Sequence, residues 1–472
     1  MSTSENKQNN IYFAACSIFF AIFAFMSVYR YYCINSTYFD LGIYENIIYR
    51  VAFHQEWYLL FSGHVYPILL VHSFIYKILP FTETLLILQA LTVSIGSYPL
   101  YLVARKKLKG NYPIIVILSY FLYFGVEYNI VFDFHPDHII IPIMFFAFYF
   151  LENNKMLNFV ITCLIGMTIK EPFNLVIMML GLYALIKYKK KKEGLFIAAS
   201  ALILFLVEYK IIIPYFSPVI AGIQNSQAIK FGESLLGMIV NILINPHIWL
   251  PMIFNKAVLF FIFCVFAPLL CIPLLAPLEM LIALPMFIML FSTGSSLHVG
   301  IANHYLACII PSLFIAFIYG LDKVTNYKYF ASIQLGTAIL FNIILSPSPV
   351  SQTFLRGRSL NFSYKSYISG PRESMIKENI SKYIPSDPKI SVVSQNSLFI
   401  SYFAKRNLYH SFPQNISSCD YVILDIKRPL FVIDIVNERE YFKNFNIVKK
   451  TRPIIYENDG FYIFGKVLSS KG

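Results

Sequence analysis

The chain has 472 residues, of which 57% are hydrophobic, 17% aromatic and 13% charged, and its mean hydropathy is +0.62. A composition this apolar excludes a water-soluble multi-domain enzyme. The net charge of +13 does not mark a nucleic-acid face either, because many Lys and Arg fall in short runs between apolar segments instead of gathering on one surface. The Cys are scattered with no CxxC, so neither a zinc knuckle nor a disulfide framework is indicated; Cys33 and Cys419 could pair, but nothing requires it.

A bilayer core of about 30 Å takes roughly 20 apolar residues in a helix, because every backbone N–H and C=O must be paired internally. Spans are predicted at residues 11–29, 83–103, 112–130, 138–151, 156–169, 173–186, 195–213, 257–272, 274–290, 302–321 and 329–345, about eleven in all. The first has the length of a span and no A-x-A site after a short apolar core, and reads as an uncleaved signal anchor. A further stretch, 65–79, is short for a span and carries His72 and Lys77. If it lies along the outer interface without crossing, the basic clusters Arg105, Lys106, Lys107, Lys109, Lys187 and 189–192 all fall in the cytoplasm, as the positive-inside rule asks. Within the long first outer loop, Leu41, Tyr44, Ile48 and Val51 recur at helical spacing and form an amphipathic helix suited to the membrane surface. Tyr29, Tyr31, Tyr32 and Tyr38 read as an interfacial aromatic belt.

After Leu345 the composition turns polar. Residues 389–394, 420–425 and 461–466 read as strands and 397–405 as a helix. The expected fold is an all-α polytopic membrane domain over residues 1–346, with interfacial helices in its first outer loop, followed by a small α/β domain over 347–472 on the extracytoplasmic side.

The runs Phe39-Asp40-Leu41-Gly42-Ile43-Tyr44-Glu45-Asn46, then Phe61-Ser62-Gly63-His64-Val65-Tyr66-Pro67, then Phe132-Asp133-Phe134-His135-Pro136-Asp137-His138 are followed by Lys170-Glu171-Pro172, His304-Tyr305 and Pro311. In this order they resemble the membrane family called domain of unknown function 2079. That family in turn resembles the GT-C class of glycosyltransferases, polytopic enzymes that take sugars from polyprenyl-phosphate carriers and use an acid in the first outer loop. The GT-C likeness rests on layout: one span, a long outer loop with two interfacial helices, a return span ending in a basic cluster, and a soluble C-terminal domain. Many of those enzymes carry two near-adjacent acids in that loop, whereas here Asp40 is followed by Leu41 and the next acid is Glu45.

Sugar transfer from a lipid phosphate needs a carboxylate to take a proton and cations to hold the departing phosphate. Asp40 is the candidate base; the alternative is that Thr37 caps the amphipathic helix and Asp40 completes the capping box. Glu45, His64, Lys170, Glu171 and His304 are candidates for substrate binding, with His298 a weaker one, and Lys170 and Glu171 could instead be solvated at a short turn. Asp133, His135, Asp137 and His138 are the densest set of potential ligands and could hold a divalent cation, unless Pro136 simply starts a helix capped by Asp133 or Asp137. Glu208 and Lys210 read as a local ion pair. The partners implied are the lipid bilayer and a polyprenyl-phosphate-linked sugar, with no nucleic acid. A transporter or flippase, or a non-catalytic envelope protein, is the alternative, although no internal repeat supports transport.

Overall fold

The computed structural model describes residues 3–36, 38–218, 222, 244–292, 298–324, 329–357, 361–395, 404–406, 409–427 and 438–466. The first helix, Thr3–Tyr32, buries Tyr12, Cys16, Phe19, Phe23 and Met26, which follow one another at steps of three and four, and leaves Phe13, Ile18, Ile22 and Phe25 exposed on other faces. A helix apolar all round suits a lipid solvent, where the outward face needs no polar groups. Glu5–Tyr32, Thr82–Lys107 and Lys191–Phe216 are each long and apolar enough to cross a membrane. Tyr112–Phe121 and Phe124–Val131, bent by 42°, add a fourth if they form one span.

Other predicted spans are shorter or broken. Residues 298–309 lie in turns and the helix there begins only at Ile310, while Pro273, Pro277 and Pro285 each remove an N–H from the region predicted as 257–272 and 274–290. It forms short pieces, among them Lys256–Phe266, Pro277–Met280 and Leu284–Ser292. At the kink near Tyr123, the buried Glu127 accepts from Asn342 Nδ2 at 2.6 Å and from the Ser346 hydroxyl, tying the bent pair to the Phe330–Leu345 helix.

Phe173–Tyr188 and Lys191–Val207 form a close hairpin. A Cβ on Gly181 would stand 2.7 Å from Ala198 N, and one on Gly194 would stand 2.8 Å from Gly181 O. Only glycine allows the backbones this near, the device that packs helices in lipid.

The bundle has two chemically distinct ends. At one, Lys107 pairs with Glu152 at 3.0 Å, Arg105 with Glu5 at 2.8 Å and Lys187 with Glu279, and Lys323 donates to Leu275 O. The helices Ile140–Glu152, Phe173–Tyr188 and Ile310–Val324 finish at that end and start at the other, soon after His138, Glu171 and His304. This separation is the one the charge pattern calls for.

In the first loop, Ile43–His54 carries the expected face, but Leu41, Tyr44, Ile48 and Val51 pack against Leu85, Leu86, Phe134 and Ala404 instead of lying on lipid. The 65–79 stretch forms the helix Leu69–Ile78, whose ten residues rise about 15 Å, half of a bilayer core. Val71, Phe74 and Ile78 remain exposed on it.

The C-terminal region is an α/β/α sandwich. Strands β1 (Val392–Ser394), β2 (Tyr409–Ser411), β3 (Tyr421–Asp425), β4 (Ile454–Asn458) and β5 (Phe461–Phe464) lie in the order β2-β1-β3-β5-β4, parallel among the first three and antiparallel beyond. Alternation sends Val392, Ile423, Phe461 and Ile463 to the helix Pro371–Tyr383, and Val393, Val422, Leu424 and Phe464 to the helix Glu438–Thr451. The three predicted strands are present; β2, β4 and both helices are additions. The predicted helix at 397–405 lies outside the described residues except at its end. Cys33 and Cys419 are both buried and form no disulfide with each other.

The Gly181→Val variant should be destabilised by roughly 1–3 kcal/mol through overpacking of the hairpin. A thermal melt in detergent checks this, with an exposed glycine such as Gly336 changed to Ala as the control expected to melt like the parent.

Candidate functional site

The site is organised by the turn between Phe124–Val131 and Ile140–Glu152. Asp133 has φ 133°, a conformation that costs a non-glycine residue of order 1–3 kcal/mol and persists only when its surroundings hold it. They do. Its carboxylate pairs with Arg30 at 3.0 Å, both groups buried, and Arg30 also donates to Val131 O. The buried Gln89 donates to the carbonyls of Asn129, Ile130 and Asp133, the last at 2.6 Å, and accepts from His135 N–H at 2.9 Å. Pro136 then opens the short helix Pro136–Ile139 as expected, but no side chain caps it.

This turn aims His135 at the first loop. Asp40 Oδ1 lies 2.9 Å from His135 Nε2, off the line of a good hydrogen bond, so the contact is an ion pair. The His135 ring stacks on His304 with centroids 3.6 Å apart. His304 Nε2 is 3.7 Å from Asp137 Oδ2, and Lys170 Nζ bonds both Asp137 oxygens at 3.1 and 3.3 Å. Beside Lys170, Glu171 pairs with His64 Nδ1 and accepts from Val65 N–H at 3.2 Å. Tyr44 and Tyr66 join the two halves: their hydroxyls are 3.3 Å apart, Tyr44 meets His135 edge-on and Tyr66 meets His64. Asp40, His64, His135, Asp137, Lys170, Glu171 and His304 thus belong to one network.

Protonation follows from burial and neighbours. Burial opposes a charge on His135, but Asp40 outweighs it and lifts the imidazole above its ordinary value. Burial, reinforced by His135, holds His304 well below the ordinary value, so the stacked rings do not both carry charge. Burial of Lys170 is outweighed by Asp137, which raises its pKa, and burial of Glu171 is outweighed by His64, which lowers its own. The rings of His298 and His304 flank the Tyr305 ring with centroids 5.0 and 4.4 Å away, and their buried Nδ1 atoms have no hydrogen-bond partner among the described residues. They are open positions for a polar ligand.

Other candidates lie elsewhere. Glu45 is buried and accepts from Tyr76 at 2.6 Å and Thr82 at 2.7 Å, a structural anchor for the first loop. Asp133 serves Arg30, and His138 Nδ1 contacts His135 O while its ring faces His72. The donors proposed for a divalent cation therefore do not converge, and among the described residues no three His, Cys, Asp or Glu are grouped to hold a metal. Glu208 accepts from Asn174 at 2.6 Å while Lys210 lies over the Tyr209 ring, so the expected local ion pair does not hold Glu208. Thr37, the alternative cap, lies outside the described residues. Sequence reasoning passed over Arg30, Gln89, Tyr44 and Tyr66. A cation at the end of an apolar span and an amide within one were the available signals for the first two.

Gln89→Leu removes the donor shared by the three carbonyls and the acceptor of the His135 N–H, and should cost roughly 2–4 kcal/mol in a thermal melt. Because the His135 pKa is raised, its pairing with Asp40 stabilises fully below the ordinary value of 6.5 and is lost as pH rises through the elevated value. The melting difference between the parent and Asp40→Asn should therefore be largest below pH 6.5 and shrink as the pH rises above it.

No curated protein matches the chain. Among solved structures it is similar to ArnT from Cupriavidus metallidurans bound to undecaprenyl phosphate, at 12% identity over 98% of each chain with a TM-score of 0.49. It is similar to the apo state of the same protein at 11% identity over 92% of this chain and 94% of that one, with a TM-score of 0.49. The oligosaccharyltransferase of Archaeoglobus fulgidus in complex with zinc and sulfate follows at 13% identity, 96% of this chain and 73% of that one, with a TM-score of 0.44. The model of one protein family, described as predicted membrane protein (DUF2079), matches residues 30–448, a stretch that takes in every member of the network, and the chain belongs to that family.

Proposed function

We propose that this membrane protein is a GT-C-like glycosyltransferase that takes a sugar from a polyprenyl-phosphate carrier at the extracytoplasmic face. The observation that carries the reading is the continuous path from Asp40 through His135, His304 and Asp137 to Lys170, a carboxylate at one end and an ammonium at the other. Its position opposite the basic end of the bundle supports an outward-facing site. A transport pathway would place such groups near the middle of broken helices, whereas these lie at helix starts.

In this mechanism the acceptor hydroxyl attacks the anomeric carbon of the sugar. The new C–O bond forms as the bond from that carbon to the phosphate oxygen breaks, and the polyprenyl phosphate leaves with the electron pair. Asp40 takes the hydroxyl proton: its side chain is 17% exposed against 1% for His135, so the carboxylate meets the acceptor and the imidazole orients it from behind. Lys170 and the open nitrogen of His304 stabilise the charge that builds on the phosphate. His64, whose side chain is 38% exposed, pairs with the buried Glu171 at the edge of the network.

The test is transfer from labelled polyprenyl-phosphate sugars by the reconstituted full chain. Asp40→Asn should fold and lose roughly 10²–10⁴-fold in transfer. Lys170→Gln, which can still bond Asp137, should chiefly weaken the effect of added carrier phosphate. Undiminished transfer by Asp40→Asn removes the base from the mechanism, and a carrier phosphate without effect on either protein removes the donor class.

A further inference from the structure

A cavity of about 920 Å³ opens where the outer end of the Thr3–Tyr32 helix meets the C-terminal region. Its wall includes Tyr31 and Tyr32 from the helix, Lys377 and Lys382 from Pro371–Tyr383, and Lys405 and Arg406. Among the described residues lining it none is acidic. Lys377 donates to Tyr32 O at 2.5 Å, Lys405 to Pro80 O at 2.9 Å, and Arg406 to the carbonyls of Pro385, Asp387 and Ile390, while the buried Glu45 carboxylate acts on Lys405 through space. Lys382 lies over the Tyr383 ring. Carbonyls and rings hold an ammonium in place without cancelling its charge. The Tyr32 hydroxyl donates to Glu83 at 2.5 Å, and Glu83 is not itself part of the lining.

Tyr32 also lines a second cavity, of about 330 Å³, with Ala24, Phe25, Val28, Tyr29 and Ile87. This one is a nearly apolar groove between the first helix and Thr82–Ile95, both parts of segments long enough to span a bilayer. A positively charged chamber at the end of a span therefore adjoins an apolar groove along it, the partition an amphiphile has in its own structure.

We propose that the two cavities together bind an anionic lipid, with its phosphate headgroup among Lys377, Lys382 and Lys405 and the first part of a hydrocarbon chain in the groove of Phe25, Val28 and Ile87. The chamber's volume is that of a small-molecule site, and each lysine near a lipid phosphate is worth about fivefold in affinity. The inference goes beyond the transferase reading: it needs no chemistry and uses none of Asp40, His135 or Lys170. A bound lipid would bridge the membrane helices to the C-terminal region, which otherwise meet through bonds such as Asn35 to Ser366 O and Asn46 to the carbonyls of Ala404 and Arg406.

The test uses the delipidated full chain in detergent, with phosphatidylglycerol, phosphatidylcholine of the same acyl chains, and inorganic phosphate as probes, read by native mass spectrometry and thermal melting. Phosphatidylglycerol should be retained and should raise the melting temperature more than phosphatidylcholine. The double variant Lys377→Gln/Lys382→Gln should weaken that retention by about 25-fold. Val28→Trp, which fills the groove, should weaken lipid retention while any response to inorganic phosphate is unchanged. Lys443→Gln, on the exposed side of Glu438–Thr451, and Asp40→Asn should both retain phosphatidylglycerol like the parent, so a failure of the transferase reading leaves this result untouched. Equal retention of the two lipids, or full retention by the double variant, overturns the proposal. An equal melting shift from inorganic phosphate alone also overturns it, in favour of a site for a free anion.

Discussion

The hold of Arg30 and Gln89 on the turn at Asp133 is the constraint on which the candidate site depends. A positive φ at an aspartate is unfavourable, and it persists because a buried guanidinium takes the carboxylate while one amide side chain takes three carbonyls and returns a bond to His135 N–H. Arg30 ends the first helix and Gln89 sits within Thr82–Ile95, so two membrane helices fix the geometry of a segment that belongs to neither. His135 is delivered to Asp40 as a result, and His304 is stacked against it from a third part of the chain.

Ionisable groups inside such a structure are costly unless they satisfy one another. The network does so by alternation: Asp40 faces His135, Asp137 lies between His304 and Lys170, and Glu171 faces His64. The protonation pattern matches, with His135 raised by its carboxylate and His304 held low beside it. Among the described residues the buried Nδ1 atoms of His298 and His304, like His138 Nε2 and Glu45 Oε2, have no hydrogen-bond partner, and the two beside Tyr305 are positions a polar ligand would complete.

The C-terminal region is bound into the same design. Ile34, just past the first helix, packs with Ile376 and Ile380 of Pro371–Tyr383 and with Ile384 just after it, and Ala404 packs with Leu41 and Leu85. The apolar face of Ile43–His54, which by periodicity suits a membrane surface, is covered by protein for this reason. Its neighbour Leu69–Ile78 keeps exposed Val71, Phe74 and Ile78, and so retains a surface that an interface with lipid can use.

Composition and charge order were enough to determine a membrane protein with two unlike ends, because the solvent preference of apolar segments and the placement of Lys and Arg are local properties. The residue types at Asp40, His64, His135, Asp137, Lys170, Glu171 and His304 also stood out in the sequence, since ions next to apolar spans are rare without a task. Which of them meet was decided only by tertiary structure. Glu45 and His138 share those motifs yet point to Tyr76 and to a backbone carbonyl, because one turn of helix, or one strained φ, sends neighbouring side chains to different partners. The number and length of helices likewise depended on packing: proline breaks, the kink near Tyr123 and the glycine contact of Gly181 with Gly194 are settled by what each segment lies against, which an apolar run does not encode.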